Sequence, residues 1–147
     1  MHFMDYAMAD IPAKTDTGAY RNAVHATNIH LSDDGKTLHF RLLGDHPVCG
    51  PLAQDMTTTD FKIVTVENSF GHREDRYEVK LRVKLGPKIF TSAFSLADRS
   101  KKIYPILLGR KLLNNRFLVD TAHSQLDRAA LKEKYNISFP NDEEEGR

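Results

Sequence analysis

Residues 76–85 constrain the fold more than any other segment of this chain, because apolar and charged side chains alternate there without interruption. A helix repeats its apolar positions every three or four residues, whereas alternate residues of a strand point to opposite faces. The segment therefore predicts a β-strand with one face on a hydrophobic core and a charged face opposite. The core-facing residues are Tyr77, Val79, Leu81, Val83 and Leu85.

Turn-forming residues divide the surrounding sequence into further strands. Gly86-Pro87 follows the clear strand, and residues 32–36 contain the Asp and Gly that suit a tight loop with a positive φ. Residues 68–71 are a third turn candidate. The predicted antiparallel pairs are 24–31 with 37–43, 61–67 with 76–85, and 76–85 with 88–95.

Helix is predicted in only two places, so the predicted class is all-β. A short helix is expected over 109–114, and a C-terminal helix over 123–138, where Ser124 can act as the N-cap. Residues 116–120 predict a last short strand. Residues 44–60 contain two prolines and little periodicity, which predicts a long surface loop, and 139–147 predict an acidic flexible tail.

Charge and cysteine content give broad limits. The 147 residues suit one domain, and 21 basic residues nearly balance 20 acidic ones. Four of the acids lie in 142–145, so the chain without 141–147 carries a charge of +4, which permits an acidic substrate. Cys49 is the single cysteine, which excludes an intrachain disulfide and fits a reducing compartment.

The same composition predicts a cytoplasmic protein without membrane association. No apolar run is long enough to span a bilayer, and residues 1–10 lack the basic start and apolar centre of a signal peptide. Nucleic-acid binding is not expected either, because the basic residues alternate with acids instead of forming a dense patch.

Asp16-Thr17-Gly18-Ala19 is the strongest candidate for catalytic chemistry. Two carboxyl groups that share one proton hydrolyse a peptide bond without a metal or cofactor, since one activates water and the other polarises the carbonyl. Gly18 allows a sharp turn, and the Thr17 hydroxyl can lock two such loops together. Because the chain has one Asp-Thr-Gly, a dyad requires a second copy of the chain.

Several segments together resemble the RimB-like family of retropepsin-like aspartic peptidases, a family labelled as ATP-dependent zinc proteases. The resemblance runs in order from residue 11 to residue 120, over a predicted peptidase domain of 11–122. The matching segments are I-P-A-K-T-D-T-G-A, V-H-A, F-G-H-R-E-D-R-Y-E-V, S-L-A-D-R-S, Y-P-I-L-L-G-R-K-L-L and F-L-V-D.

The resemblance implies a closed six-stranded acid-protease barrel that acts as a homodimer, with Asp16 of each copy in the dyad. It implies that Thr17, Gly18 and Ala19 shape the catalytic loop, supported by Leu108, Gly109 and Arg110. Residues Asn68, Ser69, Phe70 and Gly71 would form the flap over a peptide substrate. Members are often associated with an ATP-grasp ligase that adds glutamates to a ribosomal protein, which implies the trimming of glutamate-rich tails.

The chain departs from the family pattern after the catalytic triplet. Tyr20-Arg21-Asn22 stands where the family usually has a hydroxyl-rich segment, and the strand that usually precedes the loop is reduced to residues 1–10. Four basic residues could form a rim that binds glutamate carboxylates, although solvated surface charge explains them equally well. They are Lys14, Arg21, Arg73 and Arg76.

Other function classes have weaker support in the sequence. The seven histidines include no His-Glu-x-x-His pattern, and His46 with Cys49 would supply two zinc ligands where a tetrahedral site needs more. No phosphate-binding loop supports ATP dependence, and Cys49 has no recognisable catalytic partner. The main alternative to a peptidase is a non-catalytic, retropepsin-shaped module that binds an acidic peptide or a modification enzyme.

Overall fold

Strands dominate the computed structural model, which describes residues 1–4, 11–16, 18–48, 50–67 and 70–113. One short α-helix, α1, follows the last described strand, and a short 3-10 turn at Gly50–Leu52 precedes β5. The elements are β1 His2–Phe3, β2 Ala13–Thr15, β3 Asn22–Leu31, β4 Leu38–Leu42, β5 Gln54–Thr58, β6 Phe61–Glu67, β7 Arg73–Leu85, β8 Lys88–Ala97, β9 Ile106–Leu108 and α1 Arg110–Leu113.

The strands form one curled sheet, in which β7 is the longest member. The sheet runs in the order β1-β7-β8-β3-β4-β5, with β6 also paired to β7. Strand β8 occupies one edge of β7, and β6 and β1 share the other edge. Strand β2 pairs in parallel with β9, which pairs antiparallel with β3. This last arrangement places the start of β3 beside the end of β9.

The alternation in residues 76–85 produces the core as predicted. Val79, Leu81 and Val83 are buried, and they pack with Phe94 of β8 and Phe40 of β4 in one hydrophobic cluster. Burying apolar side chains of this size stabilises the fold by roughly 1.5–3 kcal/mol each. The opposite face of β7 is exposed at Lys80, Arg82 and Lys84, as its charges require.

The three predicted hairpins are present. Strands β3 and β4, β6 and β7, and β7 and β8 pair antiparallel. Gly35 and Gly86 take φ values of 71° and 59° in their turns, a region open to glycine at little cost. The prediction of a mostly β chain is confirmed, whereas the closed barrel of six strands stays a prediction.

The prediction of a long surface loop over 44–60 is wrong. Strand β5 pairs with β4 along its whole length, and Met56 faces the core. His46 and Val48 are buried as well. The strand escaped recognition because Met56 is its only buried residue, so no apolar alternation marks it. Backbone pairing and the cross-strand Arg41–Asp55 ion pair of 3.0 Å hold it instead.

The short helix predicted over 109–114 is present as α1, Arg110–Leu113. The predictions of a strand at 116–120, a helix at 123–138 and a tail at 139–147 fall outside the described residues. Within the described ranges, no helix is long and apolar enough to cross a membrane.

Candidate active site

Asp16 lies directly after β2, and a parallel strand holds it there. Thr15 pairs with Leu108 of β9, and the Asp16 amide donates to the Leu108 carbonyl at 2.9 Å. The chain then turns, with the Ala19 amide donating to the Asp16 carbonyl at 3.2 Å. The Gly18 amide donates to Oδ1 of Asp16 at 3.1 Å, which orients the half-buried carboxylate. We call residues 16–22 the Asp16 loop; Thr17 itself lies outside the described residues.

The segment after β9 closes the Asp16 loop from behind. The amides of Arg110 and Lys111 donate to the carbonyls of Ala19 and Tyr20, each at 2.8 Å. A Cβ on Gly109 would stand 2.5 Å from the Arg21 carbonyl oxygen, so only glycine allows the two backbones to approach this closely. The structure therefore brings together the two segments on which the sequence argument depended.

Asn22 is a supporting residue that the sequence argument missed. Its side chain is fully buried, and its Oδ1 accepts a hydrogen bond from the Gly109 amide at 2.9 Å. Its Nδ2 donates to Ser92 Oγ at 3.1 Å and to the Ala93 carbonyl at 2.9 Å. The Asn22 carboxamide thus connects the Asp16 loop, the segment after β9 and strand β8. A polar residue directly before the apolar pair Ala23-Val24 at the start of β3 was the available signal.

Tyr20 and Arg110 lie together at the surface of this site. The Arg110 guanidinium carbon is 5.9 Å from the centre of the Tyr20 ring, and about half of the Tyr20 side chain is exposed. An arginine in that position is attracted to the ring by a cation–π interaction. Arg110 therefore contacts the Asp16 loop through both its backbone and its side chain, which fits a scaffold role.

Beside the Asp16 loop, the buried carboxylate of Glu78 is surrounded by cations from three elements. Arg21 Nη1 lies 2.8 Å from Glu78 Oε2, and the Nζ atoms of Lys111 and Lys62 lie 3.4 and 3.5 Å from Oε1. Burial alone would raise the pKa of Glu78, but the three cations together lower it below its ordinary value. We call these four residues the Glu78 cluster. Glu78 belonged to the predicted charged face of β7, which is therefore not solvated along its whole length.

The four residues predicted as a carboxylate-binding rim are not gathered in one place by the contacts described. Arg21 is in the Glu78 cluster, and Arg76 pairs with Glu74 on β7. Lys14 lies on β2, and Arg73 is exposed at the start of β7. Of the cations that do converge, Lys62 and Lys111 line a cavity of about 530 Å³. Its charged lining comprises Asp60, Lys62, Glu78, Lys80 and Lys111.

The predicted flap lies at the tip of the β6–β7 hairpin. Glu67 pairs with Arg73 at its last rung, Gly71 has a φ of 77°, and Phe70 is largely exposed. Asn68 and Ser69 lie outside the described residues. An apolar residue held at the end of a long hairpin suits contact with a ligand, and the flap role stays a prediction.

His25 and His46 form a buried pair. His25 Nδ1 accepts from the Arg99 amide at 2.8 Å, so its Nε2 donates to the Gly44 carbonyl at 2.7 Å. His46 likewise accepts from the Val48 amide and donates to the Lys102 carbonyl. Burial lowers the pKa of both rings, that of His46 to about 4. Each ring also has one nitrogen that accepts a hydrogen bond from a backbone amide, which requires the neutral form.

The buried histidines therefore act as structural hydrogen-bonding groups. Their ring centres are 5.1 Å apart, and each ring nitrogen has a backbone partner. Among the residues that the structure describes, no group of three or more His, Cys, Asp or Glu side chains could hold a metal ion. Cys49 lies outside that set.

A mostly β chain in which an Asp-Thr-Gly loop meets a Leu-Leu-Gly-Arg segment defines a retropepsin-like protein. The chain belongs to the RimB-like family, described as retropepsin-like aspartic endopeptidase RimB, whose model matches residues 2–129. It is also similar to a structurally characterised Legionella pneumophila protein of unknown function, with a TM-score of 0.64 and 27% identity. That match covers 84% of this chain and 88% of the Legionella chain.

The similar curated proteins are much longer than this chain. Two are named probable alpha-L-glutamate ligases: one from Shewanella pealeana, 29% identical over 119 residues, and one from Desulfotalea psychrophila, 27% identical over 130. The matches cover 78% and 82% of this chain but 25% and 26% of the relatives. The chain therefore spans about a quarter of the length of these proteins.

Proposed function

We propose that this chain is an aspartic endopeptidase of retropepsin type that works as a homodimer, its strands completing the closed six-stranded barrel of that class. The observation that carries the proposal is the Asp16 loop. The Asp16 carboxylate accepts a hydrogen bond from the Gly18 amide. The Ala19 and Tyr20 carbonyls of the same loop accept hydrogen bonds from the amides of Arg110 and Lys111 in the Leu-Leu-Gly-Arg-Lys segment. Membership of the RimB-like family supports the same reading.

In this proposal the Asp16 carboxyl groups of two copies share one proton. The ionised carboxylate accepts a proton from water as the oxygen attacks the peptide carbonyl, and the protonated partner donates its proton to the carbonyl oxygen. Collapse of the tetrahedral gem-diol breaks the C–N bond: the protonated carboxyl group gives its proton to the leaving amine, and the other carboxylate takes a proton from a gem-diol hydroxyl, which restores the shared proton. Like charges held close together keep one proton on the pair.

The proposed substrate is an acidic peptide, in particular a glutamate-rich tail made by an ATP-grasp ligase in the cytoplasm. Two observations support this choice. Relatives that contain the matching segment are named probable alpha-L-glutamate ligases. In addition, Arg21, Lys62 and Lys111 surround the single carboxylate of Glu78 beside a cavity, which leaves a local excess of positive charge.

The test is cleavage of peptides that end in a run of glutamates, followed by mass spectrometry, with a serine-run peptide for comparison. Asp16→Asn is expected to lower the rate by at least about a hundredfold, because it removes the general acid and base. Asp33→Asn, the same change in the exposed β3–β4 loop, is the control and should cleave normally. Equal cleavage by Asp16→Asn and wild type would contradict the proposal.

A mixing experiment tests the dimer. If each active site needs Asp16 from two copies, excess Asp16→Asn protein suppresses wild-type activity as subunits exchange, whereas a self-sufficient monomer is unaffected. Analytical ultracentrifugation over the same concentrations should show dimers wherever activity is present.

The second candidate is a non-catalytic module that binds an acidic peptide. The observation in its favour is that the matching segment makes up about a quarter of proteins named as ligases, where it could serve to hold the product. This module would bind glutamate-rich peptides with equal affinity before and after Asp16→Asn, and the wild type would leave them intact.

A further inference from the structure

We propose that Glu78 is a positioning residue that couples the β6–β7 hairpin to the Asp16 loop. The inference deepens the proposed function, since it explains how the hairpin expected to cover a substrate is held in register with the candidate catalytic acid. The partners of Glu78 come from separate parts of the chain, so its carboxylate connects elements that are otherwise distinct.

The three cations of the Glu78 cluster belong to three different parts of the site. Arg21 lies in the Asp16 loop, Lys111 belongs to α1 behind that loop, and Lys62 lies on β6. Glu78 is on β7, where it pairs directly with Lys62 across the hairpin. Its side chain is only 2% exposed, whereas those of Arg21 and Lys111 are 31% and 29% exposed. The carboxylate is thus the buried centre on which the other elements converge.

The backbone contacts of these partners explain why the cluster reaches Asp16. The Lys111 amide donates to the Tyr20 carbonyl, and Tyr20 directly precedes Arg21. Glu78 therefore binds both sides of the contact between the Asp16 loop and α1. Any movement of the hairpin relative to that loop must break the Arg21 and Lys111 contacts together.

The negative charge of Glu78 is needed for stability, and a neutral side chain of the same shape cannot replace it. A buried charge is costly unless it is paired, and removal of one partner leaves the others uncompensated. Replacing Glu78 by glutamine would leave three cations close together with no anion between them. Their repulsion would loosen the Asp16 loop and the hairpin specifically, because those are the elements that carry them.

Strand β7 offers a matched control on the same face. Glu74 lies four residues before Glu78 and pairs with Arg76 of the same strand. That ion pair begins and ends within β7, so it cannot couple the hairpin to another element. Glu74→Gln is therefore the same chemical change as Glu78→Gln without the proposed consequence.

The experiment is hydrogen exchange on the full chain, read out by mass spectrometry in the absence of any substrate. The informative amides are those of Arg110 and Lys111, whose acceptors are in the Asp16 loop, together with the β6–β7 ladder. Glu78→Gln is expected to speed exchange there by about tenfold, and Glu74→Gln to leave it unchanged. The β3–β4 hairpin is the internal reference and should exchange as in the wild type in both variants.

A purely structural role predicts a different pattern. If Glu78 only stabilised the fold, Glu78→Gln would speed exchange in the β3–β4 hairpin to the same extent, and that result would overturn the proposal. Unchanged exchange at the Arg110 and Lys111 amides would overturn it as well.

Arg21→Gln provides a second variant in case Glu78→Gln does not fold. It leaves Glu78 paired with Lys62 and Lys111, so the chain should fold while the Asp16 loop alone exchanges faster. The double variant should be less perturbed than the sum of the two single effects, because removing Arg21 also removes part of the repulsion. Additive effects, or no change in Arg21→Gln, would contradict the coupling.

Hydrogen exchange keeps this inference separate from the proposed function. A chain that lacks peptidase activity but shows the localised pattern retains the coupling and loses the catalytic assignment. In an active dimer, Glu78→Gln should lower kcat by about tenfold with less change in KM, as expected for misplacement of the catalytic group.

Discussion

The backbone amide of Gly109 donates a hydrogen bond of 2.9 Å to the Asn22 side chain, although 87 positions separate the two residues. This bond joins the start of β3 to the segment after β9. Asp16 lies between β2 and β3, so its position depends on this contact with the segment after β9 and not on the two strands alone. The candidate site is therefore a property of the tertiary fold.

Gly109→Ala should destabilise the protein by about 1–3 kcal/mol, because the added Cβ overlaps the Arg21 and Tyr20 carbonyls and forces the backbone to move. Urea denaturation measures the change. Gly86→Ala is the comparison: its Cβ would meet nothing within 4 Å, and only its positive φ of 59° opposes the change. A Gly109→Ala protein as stable as the wild type would show that the two backbones are not in close contact.

Asn22→Ala should lower the free energy of unfolding by roughly 1–3 kcal/mol, because the buried Gly109 amide loses its acceptor. Ser95→Ala removes the single bond from Ser95 Oγ to the Asn22 carbonyl and should cost about 1 kcal/mol. Thermal and urea unfolding of both variants test whether Asn22→Ala is the more destabilising change. Equal losses would mean that the Asn22 side chain contributes no more than one hydrogen bond.

The free energy of unfolding should decrease as pH falls from 6.5 towards 4. His46 has an ordinary pKa of 6.5, and burial lowers it to about 4 in the folded protein. Below pH 6.5 the unfolded chain takes up a proton that folded His46 does not, so the unfolded state is favoured. A pKa lowering of this size corresponds to a loss of roughly 3 kcal/mol in the free energy of unfolding as pH falls from 6.5 to 4. Above pH 6.5 this group causes no loss.

Urea denaturation at a series of pH values measures this loss. His46→Gln can still donate to the Lys102 carbonyl but does not titrate, so its stability should change less between pH 6.5 and 4. A His46→Gln protein with the wild-type slope would show that another group causes the acid sensitivity.

Phe70→Ala should reduce peptidase activity severalfold without a loss of stability. The side chain is 74% exposed, so its removal should change the free energy of unfolding by less than about 0.5 kcal/mol. In the proposed function it lies at the tip of the hairpin that closes over the substrate. Ile89→Ala, which alters an exposed apolar residue near the start of β8, is the control and should retain full activity.

The parts of the fold that follow from local patterns were predictable from the sequence. Alternation identified β7, and Gly35 and Gly86 marked two hairpins, because a positive φ is a local requirement. Strand β5 was missed because backbone pairing to β4 holds it, with one buried side chain. Long-range partners have no local signature, so neither the burial of Glu78 nor that of His46 was predicted.

The candidate site likewise contains residues that were predictable from the sequence and residues that were not. Asp16 and Gly109 were recognisable because their segments resemble a known family, and the structure brings these segments together. Asn22 was noted only as a departure from the family pattern, although its carboxamide joins three elements. The convergence of Lys62 and Lys111 beside Arg21 was not predicted, since charge alone does not indicate which lysines a sheet will bring together.

The parallel pairing of β2 with β9 has a consequence for biosynthesis. During translation, Asp16 leaves the ribosome before the Leu108 carbonyl that accepts its amide has been made. The nascent chain therefore carries Asp16 without this hydrogen-bonded support until β9 has emerged. In the proposed function, peptide hydrolysis is therefore delayed until β9 has been made and has paired with β2.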